Sequence, residues 1–284
     1  MKQHFGGSDL KHLAASLAEL AWQAGEAILM IYQQTGLKVH CKADESPVTE
    51  ADFIADEIIR SGLLRLTPGV PVWSEESDKP SELNLINNHL ILVDPLDGTR
   101  EFIKRNGEFT VNIAVIENGL PIIGIIHAPA LQQTFLGIPG VGAFESVQNN
   151  VFAKPIACTP FANTPHTLRV LGSRSYCMPK QTQWLKTIGY PSHIEGVGSA
   201  LKFCRIAQGL ADLYPRFGPT CQWDTAAGQA IVEAAGGQVC NAQAQPLRYG
   251  LDRDVLNQDF LASGPFAKGW LIQFDDTLLK RSLA

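Results

Sequence analysis

The sequence lacks the features that mark several large classes of protein. None of its six cysteines forms a CxxC pair, and a chain of this length needs no disulfide staples, so we expect reduced thiols. No apolar run approaches the ~20 residues that cross a bilayer, and the N-terminus predicts no signal peptide. Acidic residues outnumber basic ones by 28 to 23, which gives no support for a nucleic-acid-binding surface.

The composition is ordinary for a soluble globular protein, with 45% hydrophobic and 18% charged residues, and the reduced thiols predict a cytoplasmic location. The 284 residues suffice for one large domain or two moderate ones. We expect an N-terminal α+β domain over residues 1–160 with most of the metal ligands, and a C-terminal α/β domain over residues 161–284, joined near residues 152–165. Peripheral attachment to the cytoplasmic face of the inner membrane is the alternative location, and the oligomeric state stays open.

Hydrophobic periodicity divides the chain into helices and strands. A helix is predicted to begin at Thr49, capped by its hydroxyl and by Asp52, and to end before Pro68. The β-rich runs over residues 109–144 are separated by turns, which is typical of an antiparallel meander. Further helices are predicted at residues 8–34, 179–188, 199–210 and 225–235, and further strands at residues 70–73, 90–93, 168–171 and 213–217.

Acidic residues at the ends of predicted elements are the most informative feature. They lie in three separated segments, at residues 74–77, 93–99 and 223–228. Carboxylates placed beside apolar strands are costly to bury unless something positive binds them. We therefore infer a single cation site that folding assembles. Ligands that are all oxygen suit Mg²⁺ better than zinc or copper.

The segment that contains Asp94 and Asp97 has an unusual turn sequence. Pro95 opposes a regular continuation of the strand, and Gly98 permits a tight turn. Such a turn can aim both carboxylates and the Leu96 carbonyl at one point. Asp97 would then lie near the N-terminus of a following helix, where free amides attract anions such as phosphate.

Each acidic segment also has a purely structural interpretation. The turn aspartates can be turn formers, and Asp224 can be a helix cap. Glu75 and Glu76 can form a solvated turn. Because adjacent residues of an extended segment point to opposite sides, we assign Glu75, nearer the strand end, to the metal.

The three acidic segments together indicate two-metal phosphoryl transfer to water. One ion lowers the pKa of a bound water and the other stabilises the leaving oxygen, so the protein mainly positions the reactants and neutralises charge. The Thr99 hydroxyl is placed to orient the attacking water, and Asp44, in a polar segment, is the candidate that accepts the proton through Thr99.

The runs from Asp94 to Thr99 and from Trp223 to Gly228 match the DPxDGT and WDxAAG motifs. In these motifs the chain resembles the inositol monophosphatase superfamily of Mg²⁺-dependent, lithium-sensitive phosphatases. The resemblance extends over about residues 15–261 and implies the layered αβαβα sandwich of that family, of the α+β or α/β class. Within the superfamily the chain is similar to the bacterial 3'(2'),5'-bisphosphate nucleotidases at residues 46–49, 101–112, 172–175 and 214–220.

The resemblance implies an activity and a set of site residues. The reaction would convert adenosine 3',5'-bisphosphate, a by-product of sulfate activation, to AMP and phosphate with two or three Mg²⁺ ions per site. The first ion would be held by Glu75, Asp94 and the Leu96 carbonyl, and the second by Asp94, Asp97 and Asp224. Asp44 and Thr99 would activate water, and the substrate-binding set would be Glu75, Gly98, Thr99, Ser199, Lys202, Arg216 and Asp224.

A bisphosphate substrate needs a second cationic site away from the metals. Lys202 and Arg216 are the best candidates, and Ser199 precedes the predicted helix that carries Lys202. The other cations in the family-like segments are Lys104, Arg105 and Arg174. An exposed surface charge is the alternative for each of them. Tyr214 and Phe217 can stack on adenine, although buried packing is the commoner role for such residues.

Two other functions compete with the nucleotidase. One is an inositol or other sugar monophosphate phosphatase on the same scaffold. The other is a non-catalytic sensor of nucleotide and metal. The presence of every expected carboxylate together with Thr99 argues against an inactive enzyme.

Overall fold

The computed structural model describes residues 7–34, 39–41, 47–81, 88–147, 150–160, 167–175 and 179–265. Its helices are α1 (Gly7–Tyr32), α2 (Glu50–Leu66), α3 (Thr99–Ile103), α4 (Pro179–Ile188), α5 (Leu201–Ala207) and α6 (Gln222–Ala234). Its strands are β1 (Val39–Cys41), β2 (Pro47–Thr49), β3 (Val72–Ser74), β4 (His89–Asp97), β5 (Thr110–Glu117), β6 (Leu120–Ala128), β7 (Gln133–Ile138), β8 (Gly142–Val147), β9 (Asn150–Ile156), β10 (Leu168–Ser173), β11 (Ser192–Val197), β12 (Leu213–Arg216), β13 (Gln238–Asn241) and β14 (Phe260–Ser263).

The capping box predicted for the second helix is present at the start of α2. The Thr49 hydroxyl accepts from the Ala51 amide at 3.2 Å, and the Asp52 carboxylate accepts from the Thr49 amide at 2.8 Å. This reciprocal arrangement satisfies amides that the first helical turn leaves without partners. It also fixes where Asp52 lies relative to the sheet.

Strands β3 to β9 form a seven-stranded sheet in chain order, in which β3 is parallel to β4 and the following pairs are antiparallel. The predicted meander is therefore confirmed. The sequence placed a domain junction near residues 152–165, whereas β9 adds an edge strand there. Pro155 is compatible with that strand because an edge strand has one side without a ladder partner.

Strands β10 to β14 form a five-stranded sheet of order β11-β10-β12-β14-β13. Strand β10 runs parallel to β11 and β12, whereas β14 is antiparallel to β12 and β13. The sequence predicted β10 and β12 but not β11, β13 or β14. Trp184 and Leu185 of α4 pack on one face of this sheet against Leu168 and Val170.

The elements stack in five layers. Alternate residues of β4 and β5 belong to two different core clusters, one shared with α1 and α2 and the other with α5 and α6, so these helix pairs cover opposite faces of the seven-stranded sheet. The five-stranded sheet packs on the far side of α5 and α6, and α4 lies outside it. This order confirms the expected αβαβα sandwich. The division into domains at residue 160 stays a prediction.

Helix α6 approaches the large sheet closely because small residues face each other. A Cβ atom added at Gly124 would lie 2.2 Å from the Ala227 carbonyl oxygen, and one at Gly137 would lie 2.4 Å from Ile231 Cα. The small residues of the WDxAAG motif therefore allow the helix that carries Asp224 to lie directly on the strands. Among the described helices, none combines the length and the apolarity needed to span a bilayer.

Candidate active site

Three of the predicted acids meet at one edge of the seven-stranded sheet. Ser74 of β3 pairs in parallel with Val93 of β4, so the next residues, Glu75 and Asp94, emerge side by side. Asp224, in the first turn of α6, completes the group. One carboxylate oxygen from each of Glu75, Asp94 and Asp224 lies within 4.8 Å of the other two.

The sequence placed the end of the strand at Asp94 with an unusual turn after it, whereas β4 continues to Asp97. Pairing with β5 continues to Asp97, with a register shift between Asp94 and Asp97, which is the geometry of a β-bulge. The Leu96 amide donates to the Asp94 carboxylate at 3.1 Å. Gly98 has φ of 94°, and a Cβ atom there would lie 3.1 Å from the Glu108 carbonyl oxygen. The positive φ therefore favours glycine, and a side chain there would also crowd the Glu108 carbonyl.

Asp224 is held by its own helix start. The sequence suggested a helix from residue 225 with Asp224 as a possible cap, whereas α6 begins at Gln222 and places Asp224 at its third position. Its carboxylate accepts from the Cys221 amide at 2.8 Å. The rings of Trp223 and Trp73 meet edge to face at 5.5 Å between centroids. This contact ties the start of α6 to β3, the strand that leads to Glu75.

The electrostatics of the cluster indicate a site for positive charge. Burial, and then repulsion from Glu75, Asp97 and Asp224, raises the pKa of Asp94 well above its ordinary value. Burial and the neighbouring Asp97 and Glu75 likewise raise the pKa of Asp224 well above its ordinary value. Carboxylates forced together in a buried place are stabilised by a bound cation. An all-oxygen donor set of this kind fits Mg²⁺.

Asp97 lies beside the cluster and interacts with the cation Lys202. Burial raises its pKa to about 6, while Lys202 and a hydrogen bond from Asn112 act in the opposite direction. The Asn112 side-chain amide donates to the Asp97 carboxylate at 3.4 Å. Asp97 therefore has an acidic neighbour, Glu75, and a basic neighbour, Lys202.

The Thr99 hydroxyl contacts a carboxylate that sequence reasoning treated only as a helix cap. It donates to Asp52 at 3.3 Å, with the Leu96 carbonyl oxygen at 3.4 Å as a second acceptor. Asp52 is 2% exposed, and its other oxygen accepts from the Thr49 amide and hydroxyl. Asp44, the acid predicted for this task, lies outside the described residues. Spacing alone did not point to Asp52, because a capping box gives no sign that its acid also contacts a residue of a distant motif.

A cavity of about 270 Å³ connects these carboxylates with a basic wall. It is lined by Glu75, Asp94, Leu96, Asp97, Gly98, Thr99, Ser199, Lys202, Arg216 and Asp224 among others. These are all the predicted site residues within the described part of the chain. A third cation, Arg100, also lines the cavity, and the sequence analysis did not single it out.

Lys202 is buried at this wall with a defined orientation. Its ammonium group donates to the Ser199 carbonyl at 2.5 Å and to the Val197 carbonyl at 3.2 Å, and it lies 5.3 Å from the Tyr214 ring centroid. Burial lowers its pKa to about 8, while Asp97 opposes that shift. Helix α5 begins at Leu201, two residues later than predicted, so Ser199 precedes it in a left-handed conformation with φ of 49°.

Arg216 faces the same cavity from β12. One guanidinium nitrogen donates to the Pro219 carbonyl oxygen at 3.0 Å. Its Nε atom is buried and finds no hydrogen-bond acceptor within the part of the chain that the structure describes. A buried donor without an acceptor is costly, so this nitrogen favours an anionic ligand.

The remaining predicted cations contact the protein itself. Arg105 donates to the Tyr32 carbonyl at 2.6 Å and to the Gln34 carbonyl, near the end of α1. Lys104 donates to the Ser175 hydroxyl at 2.8 Å, and Arg174 pairs with Glu108. Phe217 packs against Trp184. Tyr214 packs edge to face against Phe203 and Phe260, although it also lines the cavity.

Comparison with known proteins agrees with this geometry. Residues 9–274 match the model of the inositol monophosphatase family. The chain is 42% identical over 254 residues to the 3'(2'),5'-bisphosphate nucleotidase CysQ of Escherichia coli (strain K12), which covers 87% of this chain and 98% of that protein.

Solved structures give the same relationship. The crystal structure of CysQ from Bacteroides thetaiotaomicron, a bacterial member of the inositol monophosphatase family, superposes with a TM-score of 0.75 at 37% identity, covering 90% of this chain and 98% of that one. The inositol monophosphatase of Thermotoga maritima shares the fold with a TM-score of 0.76 at 23% identity, covering 95% of this chain and 98% of that one. Motifs, layers and comparisons together establish that this chain belongs to the inositol monophosphatase family.

Proposed function

We propose that this protein is a Mg²⁺-dependent phosphatase that removes the 3'-phosphate of adenosine 3',5'-bisphosphate, releasing AMP and phosphate. The observation that carries this proposal is a cavity with two unlike walls. The carboxylate cluster forms one part of its lining, and Lys202 and Arg216 form another part. A substrate with two phosphates can place the reacting one at the first wall and the other one at the second. The similarity to nucleotidases named CysQ supports the same substrate.

The carboxylate cluster is the proposed metal site. Glu75, Asp94 and the Leu96 carbonyl are proposed to hold one Mg²⁺, and Asp94, Asp97 and Asp224 a second one. When bound, such ions supply Lewis acidity and lower the pKa of coordinated water. The protein contributes a rigid set of oxygen ligands, because each one is placed by a strand end, a bulge or a helix start.

Thr99 and Asp52 are the proposed groups that orient the attacking water. The Thr99 hydroxyl lines the cavity and donates to Asp52 at 3.3 Å. Its oxygen can therefore accept a proton from the attacking water as its own hydroxyl proton passes to the Asp52 carboxylate. The amides of Gly98 and Thr99 are proposed to contact the transferring phosphate. Asp44 stays an alternative partner for Thr99.

Lys202 and Arg216 are the proposed site for the 5'-phosphate. The guanidinium group can bind a phosphate through two hydrogen bonds, and the ammonium group adds a point charge. Lys202 is buried and Arg216 is half-buried beside the cavity, where a charge interaction is screened less than on the open surface. The phosphate would also supply the acceptor that the Arg216 Nε atom needs.

The test is a turnover assay on adenosine 3',5'-bisphosphate, adenosine 3'-monophosphate and inositol 1-phosphate side by side, with and without Mg²⁺. We expect kcat/KM to be highest for the bisphosphate. A preference for inositol 1-phosphate would instead assign the protein to the sugar phosphate phosphatases of the same fold. Nucleotide binding without any Mg²⁺-dependent phosphate release would indicate a sensor. The cytoplasmic location stays a prediction.

A further inference from the structure

Glu108, just before β5, joins the two walls of the cavity. Its carboxylate accepts from the Arg174 guanidinium group through Nε and, at 2.6 Å, through a second nitrogen. The same carboxylate accepts from the Gly198 amide at 2.8 Å. Arg174 follows β10 and Gly198 follows β11, so one side chain beside the large sheet holds two loops of the small sheet.

Glu108 also packs closely against both loops that it contacts. A Cβ atom added at Gly198 would lie 2.8 Å from the Glu108 Cβ and carbonyl oxygen atoms, and one added at Gly98 would lie 3.1 Å from the same carbonyl. Glu108 therefore contacts the turn of the carboxylate motif through its backbone and the opposite loop through its side chain. A side chain at Gly198 would therefore collide with Glu108, and one at Gly98 would crowd it.

The loop held by Glu108 is the one that supports Lys202. The Lys202 ammonium group donates to the carbonyls of Val197 and Ser199, which flank Gly198 on either side. Ser199 has a left-handed backbone, a conformation that costs a non-glycine residue energy and persists only where its surroundings hold it. The Glu108 carboxylate binds the amide in the middle of this short segment.

We propose that Glu108 is a positioning residue that fixes the segment 197–199 and thereby places the Lys202 ammonium group for the phosphate that is not transferred. This inference rests on the proposed function, since it assigns Lys202 to the second phosphate of the substrate. Arg174 orients the Glu108 carboxylate. Its side chain is 44% exposed, and it is not among the residues that line the cavity, so within the described part of the chain it supports the site indirectly.

Steady-state kinetics of three variants tests the proposal. Glu108→Ala removes the acceptor for the Gly198 amide, and we expect it to raise KM for adenosine 3',5'-bisphosphate about tenfold, with kcat and the values for adenosine 3'-monophosphate changed by about twofold at most. Glu108→Gln keeps a carbonyl acceptor, so KM should return to within about threefold of the original protein. Arg174→Met should have an effect smaller than that of Glu108→Ala.

A matched control separates positioning from general loss of stability. Arg169→Met breaks another ion pair of the small sheet, in which Arg169 of β10 contacts Asp212 at 2.6 Å. This pair lies away from the cavity. We expect this variant to lower Tm without changing the ratio of the two KM values. Equal losses on both nucleotides in Glu108→Ala would overturn the positioning role. An effect of Arg174→Met larger than that of Glu108→Ala would overturn it too, because Arg174 would then bind substrate itself.

Hydrogen exchange measured by mass spectrometry tests the contact between Glu108 and the segment 197–199 without any substrate. In Glu108→Ala, amides of the segment 196–203 should exchange about tenfold faster, as expected where a local hydrogen bond is lost, while those of β5 and β6 stay unchanged. Unchanged exchange in the segment would overturn the proposal whatever the protein hydrolyses. If the original protein prefers a sugar monophosphate, the proposed function fails, and the exchange result still decides whether Glu108 fixes the segment.

Discussion

Replacing Lys202 by Met should separate substrate binding from stability. The change keeps the length of the side chain and removes its charge. If Lys202 binds the second phosphate, KM for adenosine 3',5'-bisphosphate should rise by one to two orders of magnitude, or about 1.4–2.8 kcal/mol of lost binding. The loss for adenosine 3'-monophosphate should be much smaller, because that substrate has no second phosphate to leave without a partner.

The stability of Lys202→Met should change little, because two opposed effects nearly cancel. Burial lowers the pKa of Lys202 from 10.5 to about 8, so at neutral pH the buried ammonium group opposes folding by roughly 3 kcal/mol. The ammonium group destabilises the folded state because Lys202 holds its proton to higher pH in the unfolded chain. This destabilisation is complete below pH 8 and disappears as the pH rises towards 10.5. Met removes this penalty, but it leaves the Val197 and Ser199 carbonyls without the ammonium donor, which costs about 1–3 kcal/mol.

The assay combines steady-state kinetics on both nucleotides with thermal unfolding of the same samples. A net stability change within about 2 kcal/mol corresponds to a Tm shift of only a few degrees. Arg205→Met is the matched control, since Arg205 is a cation of the same helix α5 and is not among the residues that line the cavity in the described structure. A folded Lys202→Met variant with an unchanged KM for the bisphosphate would refute the assignment. An equal rise in KM for both nucleotides would place Lys202 at the transferred phosphate instead.

Four further predictions follow from the site and the core. Asp94→Asn should abolish phosphate release while raising Tm in the absence of metal, because it removes one charge from a self-repelling cluster; a folded variant with normal kcat would contradict the metal assignment. Thr99→Val should lower kcat by about 10²-fold with little change in KM, and an unchanged kcat would exclude Thr99 from water activation. The resemblance implies that Li⁺ and excess Mg²⁺ both inhibit, so steady turnover in high Li⁺ would count against a site for small, hard cations. Burial lowers the pKa of His127 from 6.5 to about 4, so on acidification His127 is protonated in the unfolded chain before it is protonated in the folded protein. The free energy of unfolding should therefore fall by up to roughly 3 kcal/mol as the pH falls from 6.5 to 4. Urea unfolding of His127→Gln, which keeps a partner for Thr134, should show a smaller loss over that window than the original protein does.

The carboxylate cluster was predictable because its signals are local. A strand end, a proline and a glycine around Asp94 indicate an unusual turn whatever the rest of the chain does. The small residues after Asp224 indicate a helix that packs closely, and the approach of Ala227 to Gly124 shows the reason. The resemblance then supplied the order of the layers, which periodicity alone does not give.

The elements that the sequence did not predict depend on tertiary partners. Strand β11 is mostly exposed and has polar residues at three of its six positions, and it exists because it pairs along its whole length with β10. Strands β13 and β14 have four residues each, too short for a clear alternation. The contact of Asp52 with Thr99 joins residues 47 positions apart, so it follows from the packing of α2 on β4 and not from either motif.

The like charges gathered in each part of the cavity need backbone supports that hold them together. Asp94 is repelled by Glu75, Asp97 and Asp224, and in the basic part of the lining Arg216 lowers the pKa of Lys202. Each wall would relax by moving its like charges apart unless the backbone held them. A bulge holds the first set, and the segment 197–199 holds the ammonium group of the second. Ligands of the opposite sign then remove the repulsion on each side, so metal binding and substrate binding should both raise Tm, and together by more than either alone.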